Sequence, residues 1–153
     1  IFYSSVMIKD FLITMKSNRA EIMEFLQQEF PQSLEKCEID AVTPMGACLT
    51  YRVGESELRP GGTISGPTMM TAADLALYVA ILGQIGIVGL AVTINLNINF
   101  LRKPAGGQNL RAECRLMKLG KSLAVGEVWI YSVGQEEPVA HVTGTYSIPP
   151  QVA

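Results

Sequence analysis

The segment from Gly62 to Asp74 combines a glycine-rich turn with one carboxylate inside an otherwise apolar run. Free backbone N–H groups at a helix N-terminus form an anion site, so the turn that ends near Gly66 is suited to hold a developing negative charge. Asp74 follows eight positions later, and a carboxylate in apolar surroundings is costly unless it is paired or used. A structural hydrogen bond or an intersubunit salt bridge would also explain Asp74, but a functional role is the stronger interpretation.

Other catalytic patterns in the sequence are incomplete. Gly120-Lys121-Ser122 resembles the end of a phosphate-binding loop, but Arg115 stands where that loop needs its first glycine. Ser65 lies in Gly62-Thr-Ile-Ser65-Gly66 and misses the G-x-S-x-G nucleophile elbow by one position. The one histidine, His141, belongs to a strand pattern that predicts a surface or interface position, which argues against a serine triad.

Composition and charge limit the remaining functions. The formal net charge of -2 argues neither for nor against nucleic acid, and we predict no nucleic-acid partner. Cys37, Cys48 and Cys114 have no paired spacing, which is typical of reduced, mostly buried thiols in a cytoplasmic protein. With a single histidine, neither a zinc site nor another cofactor is predicted.

A basic segment follows the apolar run. It contains Arg102, Lys103, Arg111, Arg115, Lys118 and Lys121, opposed there only by Glu113. Taken singly these residues fit solvated strand edges and turns, whereas together they would suit a small polyanion.

The periodicity of the sequence predicts the elements that position these residues. Asn18 and Glu21 form a capping-box pattern for a helix that Pro31 ends, and a long apolar helix is predicted from about Pro67 to Gly83. Strands are predicted at 37–42, 47–53, 92–100, 110–116, 123–133 and 139–148. In the third of these, the apolar residues Val92, Ile94, Leu96, Ile98 and Phe100 alternate with Thr93, Asn95, Asn97 and Asn99.

The order of elements predicts a single α+β domain over residues 17–153, after an N-terminal extension or upstream segment at 1–16. Turns between consecutive strands at Gly120-Lys121 and Gly134-Gln135-Glu136 indicate an antiparallel meander. Leu75 to Ile94 is nearly long enough to cross a membrane, but its three glycines favour the buried centre of a soluble fold. A sheet that buries one apolar helix must curl around it, which is the hotdog arrangement.

Two stretches carry a family resemblance. Gly62-x-x-Ser65-Gly66-Pro67 with Asp74 resembles the G-x-x-H-G-G...D signature of PaaI-like hotdog thioesterases. AVTINLNINFLRKP, at 91–104, resembles the strand that follows the helix in that family, and 110–148 resembles its last three strands. Ser65 stands at the position of the family's histidine, and Pro67 at that of its second glycine.

The resemblance implies an acyl-CoA thioesterase. Gly66 would polarise the thioester carbonyl, Asp74 would act as general base or as nucleophile, and Ser65 would donate a hydrogen bond in place of the histidine. The implied substrate-binding residues are Gly62, Pro67, Tyr78, Asn97, Arg102, Lys103, Lys118 and Lys121. The Ser65 and Pro67 replacements keep a non-catalytic acyl-CoA-binding protein as an alternative, and a hotdog acyl-thioester dehydratase fits less well because His141 lies in the wrong region.

The same resemblance implies a homodimer, further paired as a dimer of dimers. Helix geometry leads to a related expectation, since eight positions correspond to roughly 12 Å of helix between Gly66 and Asp74. One chain cannot easily present both groups to one thioester, so we expect each active site to be shared between two chains.

Overall fold

The computed structural model describes residues 15–151, so residues 1–14 of the predicted N-terminal extension lie outside the described residues. The described part contains two α-helices, α1 (Arg19–Glu29) and α2 (Gly66–Ile85), and 3-10 turns at Pro31–Leu34 and Glu55–Glu57. Its strands are β1 (Cys37–Thr43), β2 (Gly46–Tyr51), β3 (Val92–Phe100), β4 (Leu110–Leu119), β5 (Leu123–Ser132) and β6 (Ala140–Ser147). These limits lie within three residues of the predicted ones.

Helix α1 begins at the predicted capping box. The Asn18 side chain accepts a hydrogen bond from the Glu21 N–H at 2.9 Å, and the Glu21 carboxylate accepts one from the Asn18 N–H at 3.2 Å. Ile22 and Leu26 are fully buried, so one face of α1 packs onto the domain core. The helix ends at Glu29, two residues before Pro31.

The six strands form one antiparallel sheet in the order β1-β2-β4-β5-β6-β3. The predicted meander is confirmed for β4, β5 and β6, which pair in sequence order. Strand β3 does not belong to this meander, because it lies beyond β6 at the sheet edge and does not pair with β4. The segment between β3 and β4 is long enough to pass β6 and β5, which lie between these two strands in the sheet. Its Leu101 N–H donates to the Val139 carbonyl beside β6 at 2.8 Å.

Helix α2 is apolar on nearly all sides, and the sheet curls around it and buries it. This confirms the predicted hotdog arrangement. Gly126 and Gly144 face each other on β5 and β6, and a Cβ atom on either would lie within 2.7 Å of a Leu77 methyl group. The missing side chains thus let the helix approach the sheet closely. The helix is long and apolar enough to cross a bilayer, but 67% of its most apolar window is buried inside the protein.

A β-bulge changes the predicted faces of β3. Thr93 pairs with Tyr146 and Asn95 pairs with Thr145, so Ile94 is an extra residue between them. The prediction that Thr93 shares a face with the asparagines is therefore wrong. From the register, the inner face carries Thr93, Leu96, Ile98 and Phe100, and the outer face carries Asn95, Asn97 and Asn99.

Candidate active site

One face of α2 forms a wall of a surface cavity of about 650 Å³. Thr71, Asp74, Leu75 and Tyr78 line it, at the i, i+3, i+4 and i+7 positions that share a helix face. The other walls are formed by Phe30, Gln32, Ser33, Glu35, Lys36, Tyr51, Gly89, Ala91, Val92, Thr93 and Tyr146. The cavity is thus largely apolar and aromatic, with the Asp74 carboxylate in its wall.

Two hydroxyl groups fix the Asp74 carboxylate. Tyr146 donates to Asp74 Oδ1 at 2.7 Å, and Thr93 donates to the same oxygen at 2.6 Å. The Tyr146 hydroxyl also lies 3.0 Å from the Asp74 carbonyl oxygen. Within residues 15–151 the second carboxylate oxygen, Oδ2, has no hydrogen-bond partner, so it is available to take a proton.

Tyr146 is suited to be a permanent donor. Burial raises the pKa of its phenol well above the usual value, and the negative charge of Asp74 raises it further. The phenol therefore keeps its proton at every physiological pH. Its ring stacks on that of Tyr78 with the centroids 6.1 Å apart, which holds the hydroxyl in place.

The first turn of α2 presents a free backbone donor. Ser65 is the N-cap, and its hydroxyl accepts from the Thr68 N–H at 3.4 Å and bonds the Thr68 hydroxyl at 2.8 Å. Gly66 is the first helical residue, and its N–H has no acceptor in the described part of the chain. A Cβ atom at Gly66 would lie 3.0 Å from the Phe100 ring. The structure therefore gives Ser65 a capping role, while its catalytic role stays a prediction.

The loop that delivers the chain to Gly66 is anchored by a buried glutamate. The Glu57 carbonyl accepts from the Ser65 N–H at 2.9 Å, and its carboxylate pairs with Lys36 at 2.9 Å and accepts from the Gly54 N–H at 2.8 Å. Burial alone would raise the pKa of Glu57. The hydrogen bonds from Lys36, Gly54 and Ser56 outweigh it, so the pKa lies below the usual value.

Gly66 and Asp74 open onto different cavities of the same chain. Gly66 lines a cavity of about 620 Å³ together with Arg59, Arg102 and Lys103, and Asp74 does not belong to it. Because both residues lie on α2, the helix rise separates them by roughly 12 Å. One chain thus does not bring the predicted oxyanion donor and the predicted base into one cavity.

The predicted basic residues separate into two groups. Arg102 and Lys103 lie at the end of the sheet where β4 begins. The nearby Ala105 N–H donates to the Ser132 hydroxyl, and Ser132 pairs with Leu110, the first residue of β4. Arg102 also donates to the Pro138 carbonyl and lies near Glu137. Lys118 and Lys121 lie at the other end of β4, about 30 Å away along the strand. Within one chain, these pairs do not converge.

The remaining predicted residues have mixed positions. Tyr78 lines the Asp74 cavity. Pro67 is exposed in the first turn of α2, and the Gly62 carbonyl packs against Gly106. Asn97 is exposed on the outer sheet face, away from Asp74, because it pairs with Thr143 next to the half-buried Ile98 and its fully buried partner Val142. Their binding roles stay predictions.

Other titratable groups lie away from this site. His141 bonds Glu127 at 3.0 Å on the outer sheet face, beside the Trp129 ring. Cys37 and Cys114 are free thiols, and burial raises the pKa of each to about 12, so neither suits a nucleophile. In the described part of the chain, no three His, Cys, Asp or Glu side chains come together as metal ligands.

Two residues of the site did not emerge from the sequence. Thr93 was assigned to the wrong face because the bulge at Ile94 was not predicted. Tyr146 belongs to a β6 pattern in which Val142, Gly144 and Tyr146 point inward. That alternation places a phenol in the core, where its hydroxyl needs a partner, and is the signal that identifies it.

Comparisons with known proteins identify the family and the fold. Residues 61–139 match the thioesterase superfamily. A candidate thioesterase from Silicibacter sp. TM1040 is 42% identical, with 89% of this chain and 94% of that one covered and a TM-score of 0.82. A search of the curated proteins gave no match.

Two more distant structures share the fold. The PaaI protein of the E. coli phenylacetic acid degradation operon is 21% identical, with 85% of this chain and 91% of that one covered and a TM-score of 0.74. A hypothetical thioesterase of Streptococcus pneumoniae TIGR4, solved with coenzyme A, is 20% identical, with 86% and 99% covered and a TM-score of 0.72. With its hotdog fold and the 61–139 match, the chain belongs to the thioesterase superfamily.

Proposed function

We propose that this protein hydrolyses acyl-coenzyme A thioesters. The observation that carries the proposal is the Asp74 carboxylate in the wall of an apolar cavity, with Oδ1 held by Tyr146 and Thr93 and Oδ2 free to accept a proton. Superfamily membership supports the thioesterase chemistry. The coenzyme A in the S. pneumoniae structure supports the leaving group.

In the proposed reaction, Asp74 acts as a general base. Its Oδ2 takes a proton from a water molecule, whose oxygen attacks the thioester carbonyl carbon. The carbonyl oxygen becomes an oxyanion that the Gly66 N–H at the start of α2 stabilises. The C–S bond then breaks, and the proton held by Asp74 passes to the departing coenzyme A thiolate. Direct attack by Asp74 is the competing route, in which the C–S bond breaks and a mixed anhydride forms between Asp74 and the acyl group. Hydrolysis of that anhydride at the Asp74 carbonyl would place an oxygen from labelled water in the Asp74 side chain during a single turnover.

A second copy of the chain supplies the missing half of each site in this proposal. Among residues 15–151, strand β3 is an edge strand that pairs only with β6, and it carries exposed apolar residues. Leu90, Val92, Ile94, Phe100 and Leu101 are each at least 47% exposed in the single chain. Such an edge is a template for pairing with another strand, and isologous dimers are the commonest symmetric assembly.

The direction of β3 gives this pairing its catalytic consequence. Thr93, at the start of β3, contacts Asp74, while Phe100, at its end, packs beside Gly66. Two β3 strands paired antiparallel across a two-fold axis would set the Asp74 end of one chain against the Gly66 end of the other. Each site would then hold Asp74 of one subunit and Gly66 of its partner.

The same pairing would also gather the basic residues. Arg102 and Lys103 lie at the Gly66 end of the chain, whereas Lys121 lies at the end where Ala124 pairs with Tyr146. In the dimer these groups approach each other from two chains, where the phosphates of coenzyme A would lie. Neutralising Arg102, Lys103 and Lys121 together should raise KM more than it lowers kcat, with an effect that fades as salt increases. An unchanged KM would rule out this phosphate site.

We further propose a dimer of dimers in the cytoplasm. The three free thiols suit a reducing compartment. Light scattering of the purified protein should report four chains, and a monomer at working concentration would contradict both levels of assembly.

Thiol release from a panel of acyl-CoAs tests the proposed activity. We expect turnover of at least one member and loss of that turnover in Asp74→Asn. Tight binding without turnover across the panel would instead identify a non-catalytic acyl-CoA-binding protein. Hydration or dehydration of the acyl chain with the thioester intact would identify the dehydratase alternative.

A further inference from the structure

Another cavity, distinct from the one at Gly66, adjoins the cavity that holds Asp74. It has a volume of about 620 Å³ and lies between α1 and the segment after α2, with Phe25, Ile87 and Leu90 among its walls. Phe30, Tyr78 and Gly89 line both cavities, so the two meet at these residues. The Tyr78 hydroxyl donates to the Gly89 carbonyl at 3.0 Å, which ties α2 to the segment before β3 at that boundary.

From this geometry we infer that the acyl group lies in the Asp74 cavity, that Tyr78 limits its length, and that the enzyme selects short, uncharged, apolar acyl groups. The inference rests on the proposed thioester hydrolysis, because it takes Asp74 as the reacting end of the cavity. It assigns a selective role to Tyr78 and a substrate class to the cavity.

The helix sets the available length. Tyr78 is one turn after Asp74 on the same face, so about 6 Å of helix rise separates them. An acyl chain that starts at the reacting carbon beside Asp74 thus reaches the Tyr78 ring after only a few carbon atoms. A longer chain has to displace the ring and break its hydrogen bond to Gly89.

The charges around both cavities set the chemical class. The adjoining cavity is lined by Glu21, Glu24 and Glu29. The Asp74 cavity contains Glu35 in addition to Asp74. Lys36 is the only cation among the described lining residues of the two cavities, and Glu57 pairs with it at 2.9 Å. An acyl group that ends in a carboxylate would therefore meet repulsion and lose hydration without gaining a partner.

The ratio of kcat/KM for octanoyl-CoA to that for butanoyl-CoA tests the length limit. In the wild type the ratio should be below one. In Tyr78→Ala it should rise by roughly tenfold or more, because the two cavities become continuous. Tyr78→Phe keeps the ring but loses the hydrogen bond, so its ratio should rise less. Both substrates are measured on one preparation, so partial unfolding of a variant cancels from the ratio.

A matched control is available on the other side of the sheet. Tyr131 is half-buried on the outer face, where its ring lies 4.5 Å from the Arg111 guanidinium, and it lines neither cavity. Tyr131→Ala should therefore leave the octanoyl-to-butanoyl ratio unchanged. A similar rise in that variant would show that general loosening, not the cavity boundary, controls chain length.

The charge argument has its own readout. A chain of eight carbons that ends in a carboxylate should remain a poor substrate in Tyr78→Ala, even though octanoyl-CoA improves. If no acyl-CoA of the panel is hydrolysed by the wild type, the proposed function fails. If the wild type is active but Tyr78→Ala keeps its chain-length ratio, or gains equally on the carboxylated chain, the function stands and this inference is overturned.

Discussion

In the proposed reaction, the Gly66 end and the Asp74 region of α2 carry complementary parts. The Gly66 end offers a free N–H at a helix N-terminus, beside the basic residues Arg59, Arg102 and Lys103. The Asp74 region offers a carboxylate held by two hydroxyls in a largely apolar cavity. The first suits an oxyanion and phosphates, and the second suits a base and an acyl group. Under the proposed reaction, one chain therefore supplies two half-sites on one helix, and not one complete site.

The largest expected effect is at the Asp74 half-site. Asp74→Asn should lower kcat by about 10²–10⁴-fold with little change in KM, because it removes the base. The amide oxygen can still accept from Thr93 and Tyr146, so the cavity should keep its shape. Thiol-release kinetics measure the loss, and a urea unfolding curve checks the fold. A kcat close to the wild type would remove the chemical distinction between the two half-sites.

The next effect is at the Gly66 half-site. Gly66→Pro removes the N–H, and a proline is tolerated at the first helical position, after a Ser65 whose ψ of 150° suits a following proline. We expect a loss of about 10²–10³-fold in kcat. Gly66→Ala keeps the N–H and is the matched control, with only the Phe100 ring to shift. Equal losses in both variants would point to crowding and not to a missing donor.

A smaller effect should follow from loosening the Asp74 carboxylate. A hydrogen bond to a charged group contributes about 1.5–3 kcal/mol, so Thr93→Val and Tyr146→Phe should each lower kcat by roughly tenfold. Thr145→Val, on the outer face of β6, is the control. An equal loss of kcat in Thr145→Val would indicate a merely structural role for the two hydroxyls.

The smallest effect on activity is expected at Glu57, which anchors the loop before Gly66. The pKa of Glu57 is lower in the folded protein than in the unfolded chain. Its contribution to the free energy of unfolding is therefore present above the pKa of the unfolded chain, and it is lost as the pH falls through the pKa of the folded protein. Glu57→Gln should therefore destabilise the protein most at neutral pH, with a difference from wild type that narrows on acidification. Urea unfolding at several pH values measures it. The control is Glu55→Gln, an exposed neighbour in the same 3-10 turn, and a gap independent of pH would contradict the account.

Local sequence rules predicted most of the elements. The capping box at Asn18, the long apolar helix and the alternating strands depend on neighbouring residues, so one chain segment contains the whole signal. Strand order does not depend on neighbours in this way. The position of β3 beyond β6 is decided by which edge the 101–109 connection reaches, and no local pattern in that segment records it.

The candidate site was predicted only where its residues give a local signal in the sequence. Asp74 and Gly66 stand out because one is a carboxylate in an apolar run and the other ends a glycine-rich turn. Thr93 was hidden by a bulge at Ile94 that breaks the alternation without changing the residue pattern. Tyr146 lies 72 positions from Asp74, so only the folded sheet brings its hydroxyl to the carboxylate.

The measurement that tests the shared site most directly is subunit mixing. Asp74→Asn chains and Gly66→Pro chains should each form inactive homodimers, since every site lacks one half. After mixing and re-association, random pairing makes half of the dimers mixed, and each mixed dimer regains one of two sites, so about a quarter of the wild-type kcat should return. Differently tagged chains purified in tandem would prove that mixed dimers are present. Full inactivity of such purified mixed dimers would contradict a site built from Asp74 of one chain and Gly66 of its partner.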